Sequence, residues 1–252
     1  MDRFERQTKL NDFGAAAQQK LIDSKVLVVG SGGLGCPALQ YLAAAGVGTL
    51  GIADGDNVMP SNLNRQVIFG EGDVGNNKAL VAAKCIRDKY KDTLLNVYPF
   101  TLINTNTLNV IDRYDLIIDA TDNFQTRYML NDACVLLNKP LVYGAIYQYE
   151  GQVAVFNLAT RDGRSTNYRN LFPQPPEINE VPDCNTTGVL GVLPGMIGVM
   201  MASEAIKVLT NYTTPLINKM LLFSLKNNSF YEMDIPSITE NTDGAENIEE
   251  FL

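Results

Sequence analysis

The sequence predicts an α/β fold: a Rossmann-like, mostly parallel sheet with helices on both faces, extended by antiparallel strands in the C-terminal third. Three observations predict it. The apolar run Lys25-Val-Leu-Val-Val29 enters a glycine loop, Gly30-Ser-Gly-Gly-Leu-Gly35. A second strand, Thr49–Ala53, then delivers Asp54, 19 residues beyond Gly35. Strand and helix patterns alternate from there to Gly144, the rhythm of βαβ units on a parallel sheet.

Strand Val26–Val29 feeds a helix over Leu34–Ala45, and strand Thr49–Ala53 follows. Next come a helix over Asn77–Tyr90, strand Asn96–Phe100, a short helix over Asn106–Ile111 and strand Asp115–Asp119. A helix over Thr126–Asn138 and strand Pro140–Tyr143 complete the alternating part. Beyond it, Gly151–Phe156 reads as a strand, and residues 158–187, with four prolines, read as a long irregular segment. A helix over Pro194–Leu209 and strands Lys219–Ser224 and Ser229–Met233 close the fold. We expect one domain over 1–235. The tail, 236–252, holds five acidic residues and no basic ones and reads as a flexible end.

A net charge of −8 argues against nucleic acid or an anionic membrane as the main partner. The N-terminus shows no signal peptide, so a cytoplasmic location is expected. Gly188–Ser203 is uncharged for 16 residues but is shorter than a membrane span, and it contains four glycines and Pro194, so it reads as a buried helix. Cys36, Cys85, Cys134 and Cys184 form no C-x-x-C pair, and the chain has no histidine. Structural zinc therefore has almost no ligands to draw on, and histidine-based acid–base chemistry is excluded. The chemistry must run on carboxylates, Lys, Arg, Cys, backbone amides or a bound ion.

Gly30, Gly32, Gly33 and Gly35 form a loop whose backbone can approach a phosphate at a helix N-terminus, with Asp54 placed for ribose hydroxyls. That pattern alone does not separate NAD from ATP. The cluster Asn62, Arg65, Gln66 is more discriminating. A phosphoanhydride reaction needs cationic charge on the transferring group, which Arg65 supplies bidentately and hydride transfer does not require. The plainer alternative is a polar loop whose Arg pairs with a surface carboxylate. Lys78, at the start of a helix, can reach a phosphate oxygen or simply be solvated. Asp122 and Asn123 follow the Asp115–Asp119 strand, where open α/β sheets bind ligands. Asp122 can hold Mg²⁺, or either residue can cap the next helix. Cys184 is the one cysteine in an irregular segment and is a candidate nucleophile. The other three fall in helices.

With these residues assembled, the chain resembles the MoeB/ThiF/HesA family of E1-like adenylyltransferases. The resemblance runs collinearly from Arg3-Phe-Glu-Arg-Gln7 to about Asp234, through Gly30–Gly35, Ser61-Asn-Leu-Asn-Arg-Gln66, Lys78, Ala120-Thr-Asp-Asn123, Glu150-Gly-Gln152, Cys184 and Gly188–Gly195. It implies ATP-dependent adenylation of the C-terminal glycine of a small ubiquitin-like sulfur-carrier protein ending in Gly-Gly. Asp54 would hold the ribose, Arg65 and Lys78 would stabilise phosphate charge, and Asp122 would bind Mg²⁺. Asn62 and Gln66 would line the pocket, and Arg6 would reach the site of the other subunit in a homodimer. The attacking carboxylate is already ionised, so the missing histidine is no obstacle.

Two departures stand out. Many relatives hold zinc through two C-x-x-C pairs. Here Asn167 and Asn170 occupy the first pair's positions and a second pair is lacking, so no zinc is expected and segment 158–187 is expected to be more mobile. The sequence given also lacks the rhodanese domain of some relatives, so a separate sulfur donor, a cysteine desulfurase or rhodanese, is expected. The resemblance leans towards the molybdopterin-synthase type, with a MoaD-type carrier, over a ThiS-type carrier of thiamine biosynthesis. The remaining alternatives are a peptide or tRNA-linked carboxylate as substrate, an NAD-dependent oxidoreductase, and a non-catalytic module binding a ubiquitin-like protein.

Overall fold

The computed structural model describes residues 3–161, 163–176 and 188–236. Eight strands form one sheet in the order β3-β2-β1-β4-β5-β6-β7-β8. Strands β1 (Lys25–Val29), β2 (Thr49–Ala53), β3 (Leu94–Tyr98), β4 (Leu116–Asp119) and β5 (Leu141–Tyr147) pair in parallel. The C-terminal strands β6 (Glu150–Phe156), β7 (Lys219–Ser224) and β8 (Ser229–Asp234) add antiparallel pairs. This is the fold class expected from the sequence, including its change of style after Gly144.

The central strands β1 and β4 are buried along nearly their whole length, because helices cover both faces of the sheet. Alternate residues divide between two cores: Val26 and Val28 of β1 pack on one face with Leu39, Leu42 and Ile197, while Leu27 and Val29 pack on the other with Ile111, Leu130 and Tyr143. The first face carries α2 (Gly14–Asp23), α3 (Gly35–Ala45), α4 (Lys78–Lys89) and α8 (Val192–Thr210). The second carries α5 (Asn104–Ile111), α6 (Phe124–Leu136) and the single turn α7 (Tyr168–Leu171). A further one-turn helix, α1 (Glu5–Thr8), precedes α2.

Several elements differ from the expectation: α1 was not foreseen, and β5 runs four residues past its expected end at Tyr143, carried on by its antiparallel pairing with β6. Helix α2 went unanticipated, because its buried side chains are only Ala17, Gln18 and Leu21, too few for a strong apolar stripe. Strand β3 begins two residues earlier than its pattern suggested. Its register is set by pairing Leu94 with Thr49, and this edge strand leaves Leu94 69% exposed, so no burial pattern marks its start. The segment read as irregular contains α7, whose first turn is capped by the Asn167 side chain accepting from the Arg169 N–H at 2.8 Å. Residues 237–252 of the expected tail, and Cys184, lie outside the described residues.

Helix α8 is long and apolar enough to cross a membrane by length and composition alone. It packs along α3 and against β5 and β6. Glu204 is buried on it, held by Lys207 and by the Leu216 N–H at 2.8 Å. The helices α3 and α8 approach so closely that a Cβ on Gly198 would lie 2.2 Å from the Leu34 carbonyl oxygen and 2.5 Å from Pro37 Cγ. Backbone cannot yield as a side-chain tip can, so Gly198→Ala should cost about 2 kcal/mol. The expected readout is a melting temperature lower by about 4–8 °C, measured by circular dichroism; an unchanged melt would refute this packing.

Candidate active site

The strand order reverses at β1, with β2 and β3 on one side and β4 and β5 on the other. In such sheets a crevice opens beyond the carboxyl ends of the strands at the reversal. Here it is a cleft of about 230 Å³, floored by Val29, Ala53 and Ala120. The glycine loop, Asp54, Arg65, Gln66, Lys78, Asp122 and Asn123 all line it, although they are spread over almost a hundred residues of sequence.

The loop is shaped by what it must avoid. Gly30 has φ +89°, and a Cβ there would sit 2.7 Å from the Ala120 carbonyl oxygen. A Cβ on Gly35 would fall 1.9 Å from the Gly30 carbonyl oxygen, so Gly35 closes the turn and does not itself line the cleft. Asp54 fastens the loop: its Oδ2 accepts hydrogen bonds from the Ser31 N–H at 2.8 Å and the Ser31 hydroxyl at 2.9 Å. Its Oδ1 accepts from the Asp56 N–H at 2.9 Å. The carboxylate expected to meet a ribose is thus also the clasp joining the ends of β1 and β2.

Asp56, which the sequence reading did not single out, forms an ion pair with Lys78 at 2.9 Å. The Lys78 side chain is 9% exposed and that of Asp56 is 74% exposed, so a nearly enclosed cation is held by a carboxylate facing water. Asn77 caps α4, accepting from the Leu80 N–H at 3.1 Å, and its amide donates to the Asp54 and Asp56 carbonyls. Lys78 is therefore fixed at both its backbone and its ammonium.

Residues 61–66 lie between the glycine loop and the start of α8. A Cβ on Gly33 would meet Pro194 at 3.0 Å and Arg65 Cγ at 3.6 Å, and one on Gly191 would meet the Asn64 carbonyl oxygen at 2.1 Å. Arg65 Nη1 donates to the Ser61 carbonyl at 2.8 Å and to Asn64 Oδ1 at 3.0 Å, so it is braced within its own turn and pairs with no carboxylate among the described residues. Gln66 is 4% exposed, and its Oε1 has no hydrogen-bond partner among the described residues. A buried orphan acceptor at the edge of a cleft fits a donor brought by a ligand. Asn62 does not line the cleft. Its Oδ1 accepts from the Met59 N–H at 3.1 Å, shaping the turn that presents Arg65.

On the opposite wall, Asn123 takes the cap of α6, accepting from the Thr126 N–H at 2.8 Å. Asp122 is left exposed at the cleft rim. Arg6 is exposed on α1 and does not line this cleft. No group of three or more metal-ligating side chains occurs among the described residues. Asp122 is suited instead to a hard cation that arrives with phosphate oxygens, since such ions need only one or two protein carboxylates.

Sequence reasoning missed Arg127 and Asp119. Arg127 donates to the Thr121 carbonyl at 3.0 Å and lies 5.5 Å from the ring centres of both Phe124 and Tyr143, while its buried Nε has no hydrogen-bond partner among the described residues. Burial works against its charge, but Tyr143 and Asp119 more than offset this and hold the guanidinium protonated. Asp119 ends β4 fully buried, and its Oδ1 accepts from both the N–H and the hydroxyl of Thr121. Burial pushes its carboxyl upward, opposed by Arg127 and the Thr121 donors. The signal was present in Asp119-Ala-Thr-Asp-Asn-Phe-Gln-Thr-Arg127, four residues either side of Asn123, but a lone Arg on a helix reads as solvated.

Three comparisons bear on the chain. The model of the ThiF family matches residues 4–243. A Thermus thermophilus sulfur carrier protein adenylyltransferase is 48% identical over 236 residues, covering 93% of this chain and 87% of that one. A Mycobacterium tuberculosis probable adenylyltransferase/sulfurtransferase MoeZ is 43% identical over 247 residues, and this chain spans 63% of its length. Among solved structures, Escherichia coli MccB with ATP superposes with a TM-score of 0.82 at 21% identity, over 96% of this chain and 73% of that one. At that identity the likeness speaks for the fold.

The cysteines of the described residues stand apart from the cleft chemistry. Cys36, buried in α3, donates to the Ser31 carbonyl, and burial pushes its thiol up to about 12. Cys134 is buried in α6 and is likewise shifted upward by burial. A thiol reagent at pH 8 should therefore leave both unmodified in the folded protein and label them on denaturation, as read by peptide mass mapping. Labelling of Cys36 in the native state would contradict this placement.

Proposed function

The chain belongs to the ThiF family and is an adenylyltransferase; on that premise we propose that it adenylates the C-terminal glycine of a ubiquitin-like sulfur carrier of the MoaD type. The observation that carries this reading is the convergence of Arg65, Lys78, Asp54 and Asp122 on one cleft in a chain without histidine. Cations, a ribose-height carboxylate and a rim carboxylate suit a nucleoside triphosphate that loses pyrophosphate. An oxidoreductase would leave three of the four without work.

The carrier's terminal carboxylate oxygen forms a bond to the α-phosphorus of ATP, the bond from that phosphorus to the bridging oxygen breaks, and pyrophosphate leaves with the electron pair. No proton moves, so no general base is needed. What the protein supplies is position and charge. Arg65, braced by Ser61 and Asn64, directs its remaining guanidinium hydrogens to the phosphates. Lys78 shifts its ammonium from Asp56 towards phosphate oxygens, over a short path because its backbone is anchored. Asp54 keeps Ser31 in place through Oδ2 and uses the remaining lone pair of Oδ1 for a ribose hydroxyl. Asp122 would hold Mg²⁺, whose chemistry is to neutralise phosphate charge.

The finer reading includes a homodimer in which Arg6 of a second copy reaches the phosphates, a cytoplasmic location, and a separate sulfur donor that consumes the acyl-adenylate. Cys184 would act after adenylation, if as an acyl acceptor, because the adenylation step uses no thiol.

The test is ATP–pyrophosphate exchange with Mg²⁺ and purified carriers of the MoaD and ThiS types. Exchange is expected with the MoaD-type carrier, reduced by about 10²–10³-fold in Arg65→Ala and Lys78→Ala. Exchange with the ThiS-type carrier alone would move the protein to thiamine biosynthesis. An Arg65→Ala variant as active as the parent would sink the mechanism.

A further inference from the structure

The segment after β6 meets α6 through an unusual concentration of polar contacts. Arg169 straddles Asp132, donating from Nε to Oδ1 at 2.8 Å and from Nη2 to Oδ2 at 2.7 Å. The Asp132 side chain is 7% exposed and that of Arg169 27% exposed, so the fork is largely shielded from water. Beside it, Asn131, which is fully buried, accepts from the Tyr168 N–H at 2.7 Å and donates to Asp132 at 3.0 Å. The Tyr128 hydroxyl lies 2.9 Å from the Phe172 carbonyl and 2.8 Å from that of Gln174. The Arg169 guanidinium also sits 4.8 Å over the Tyr128 ring.

The resemblance to zinc-holding relatives places Asn167 and Asn170 at cysteine positions, and the structure shows what these side chains do instead. Asn167 Oδ1 accepts from the Arg169 N–H, and Asn170 Oδ1 accepts from the Asn167 N–H at 2.8 Å. Both oxygens are committed to closing α7, and neutral amides are poor zinc ligands in any case. The donor set does not fit the metal.

We propose that this chain holds the 167–174 arm to its fold by a metal-free clamp, the bidentate Arg169–Asp132 pair supported by Asn131 and Tyr128, in place of a zinc crosslink. A bidentate, shielded pair is the kind of ion pair whose geometry specifies position as well as attraction. Asp132 also holds the Arg169 guanidinium more firmly protonated than usual. The clamp fixes Tyr168, whose ring packs 5.3 Å from that of Tyr143, the ring under Arg127 at the cleft. On this proposal residues 167–174 are tied down, in contrast to the mobility expected for the whole of 158–187.

The test needs no carrier, so it stands apart from the function proposed above. The full chain, purified from zinc-supplemented cells, should contain far less than one zinc per chain by elemental analysis, and EDTA should leave its melting temperature unchanged. Arg169→Ala should melt about 5–10 °C lower and be cut faster within 167–174 by trypsin-independent limited proteolysis. Arg169→Lys, which keeps the charge but not the fork, should fall between the two. Should Arg169→Ala not fold, Tyr128→Phe, which loses only the two carbonyl contacts, should still quicken proteolysis of the arm. Stoichiometric zinc, a chelator-sensitive melt, or Arg169→Ala behaving as the parent would each overturn the clamp.

Discussion

The carboxylate of Asp54 is the constraint on which the cleft depends. By accepting from both donors of Ser31 and from the Asp56 N–H, it ties the end of β1 to the end of β2 and folds the chain back towards α4. The Lys78 N–H then donates to the Asp56 carbonyl at 2.9 Å, so one acid sets the glycine loop and the cationic helix start together. Were it an apolar residue, two buried-side donors at Ser31 would go unpaired at the point where the loop must be most exact in shape.

The two walls are built on different principles. The wall at 61–66 is held by backbone contact, with Gly191 admitting the Asn64 carbonyl to a distance that no Cβ would allow and Gly33 lying tight against Pro194. The wall at 119–127 is held by charge and aromatic surface: Asp119 locks Thr121, and Arg127 grips the Thr121 carbonyl from beside Tyr143. The first places a cation at the cleft, and the second leaves Asp122 at its rim.

What could be read in the sequence was whatever produces a local pattern. Glycine loop, Asp54 and the apolar β1 and β2 runs each signal within a few residues, and their joint placement follows from parallel pairing. Asn123 as the cap and Asp122 as the rim carboxylate were both among the alternatives, and the structure separates them by hydrogen bonding. Asp56, Asp119 and Arg127 were not legible, because their meaning comes from partners 22 residues away, from total burial, and from the Tyr143 ring of another strand. Asn62 was assigned to the pocket by its neighbours and turns out to shape the turn beneath it. The 167–174 arm shows the same limit: its asparagine pair gives a local signal, but only the fold reveals Asp132 opposite Arg169.

The cleft draws its surface from positions as far apart as Val29 and Pro194, and from both faces of the sheet. It therefore exists only when β1, β2, β4, β5 and the start of α8 are all in place, and no single βαβ unit contains it. A ligand of this cleft discriminates between the complete native state and everything less. Its binding free energy is added to global stability, by about 2.7 kcal/mol at a hundredfold excess over Kd. An occupant of the cleft would in that sense act as a structural component of the protein, tying its separate segments into one cooperative unit.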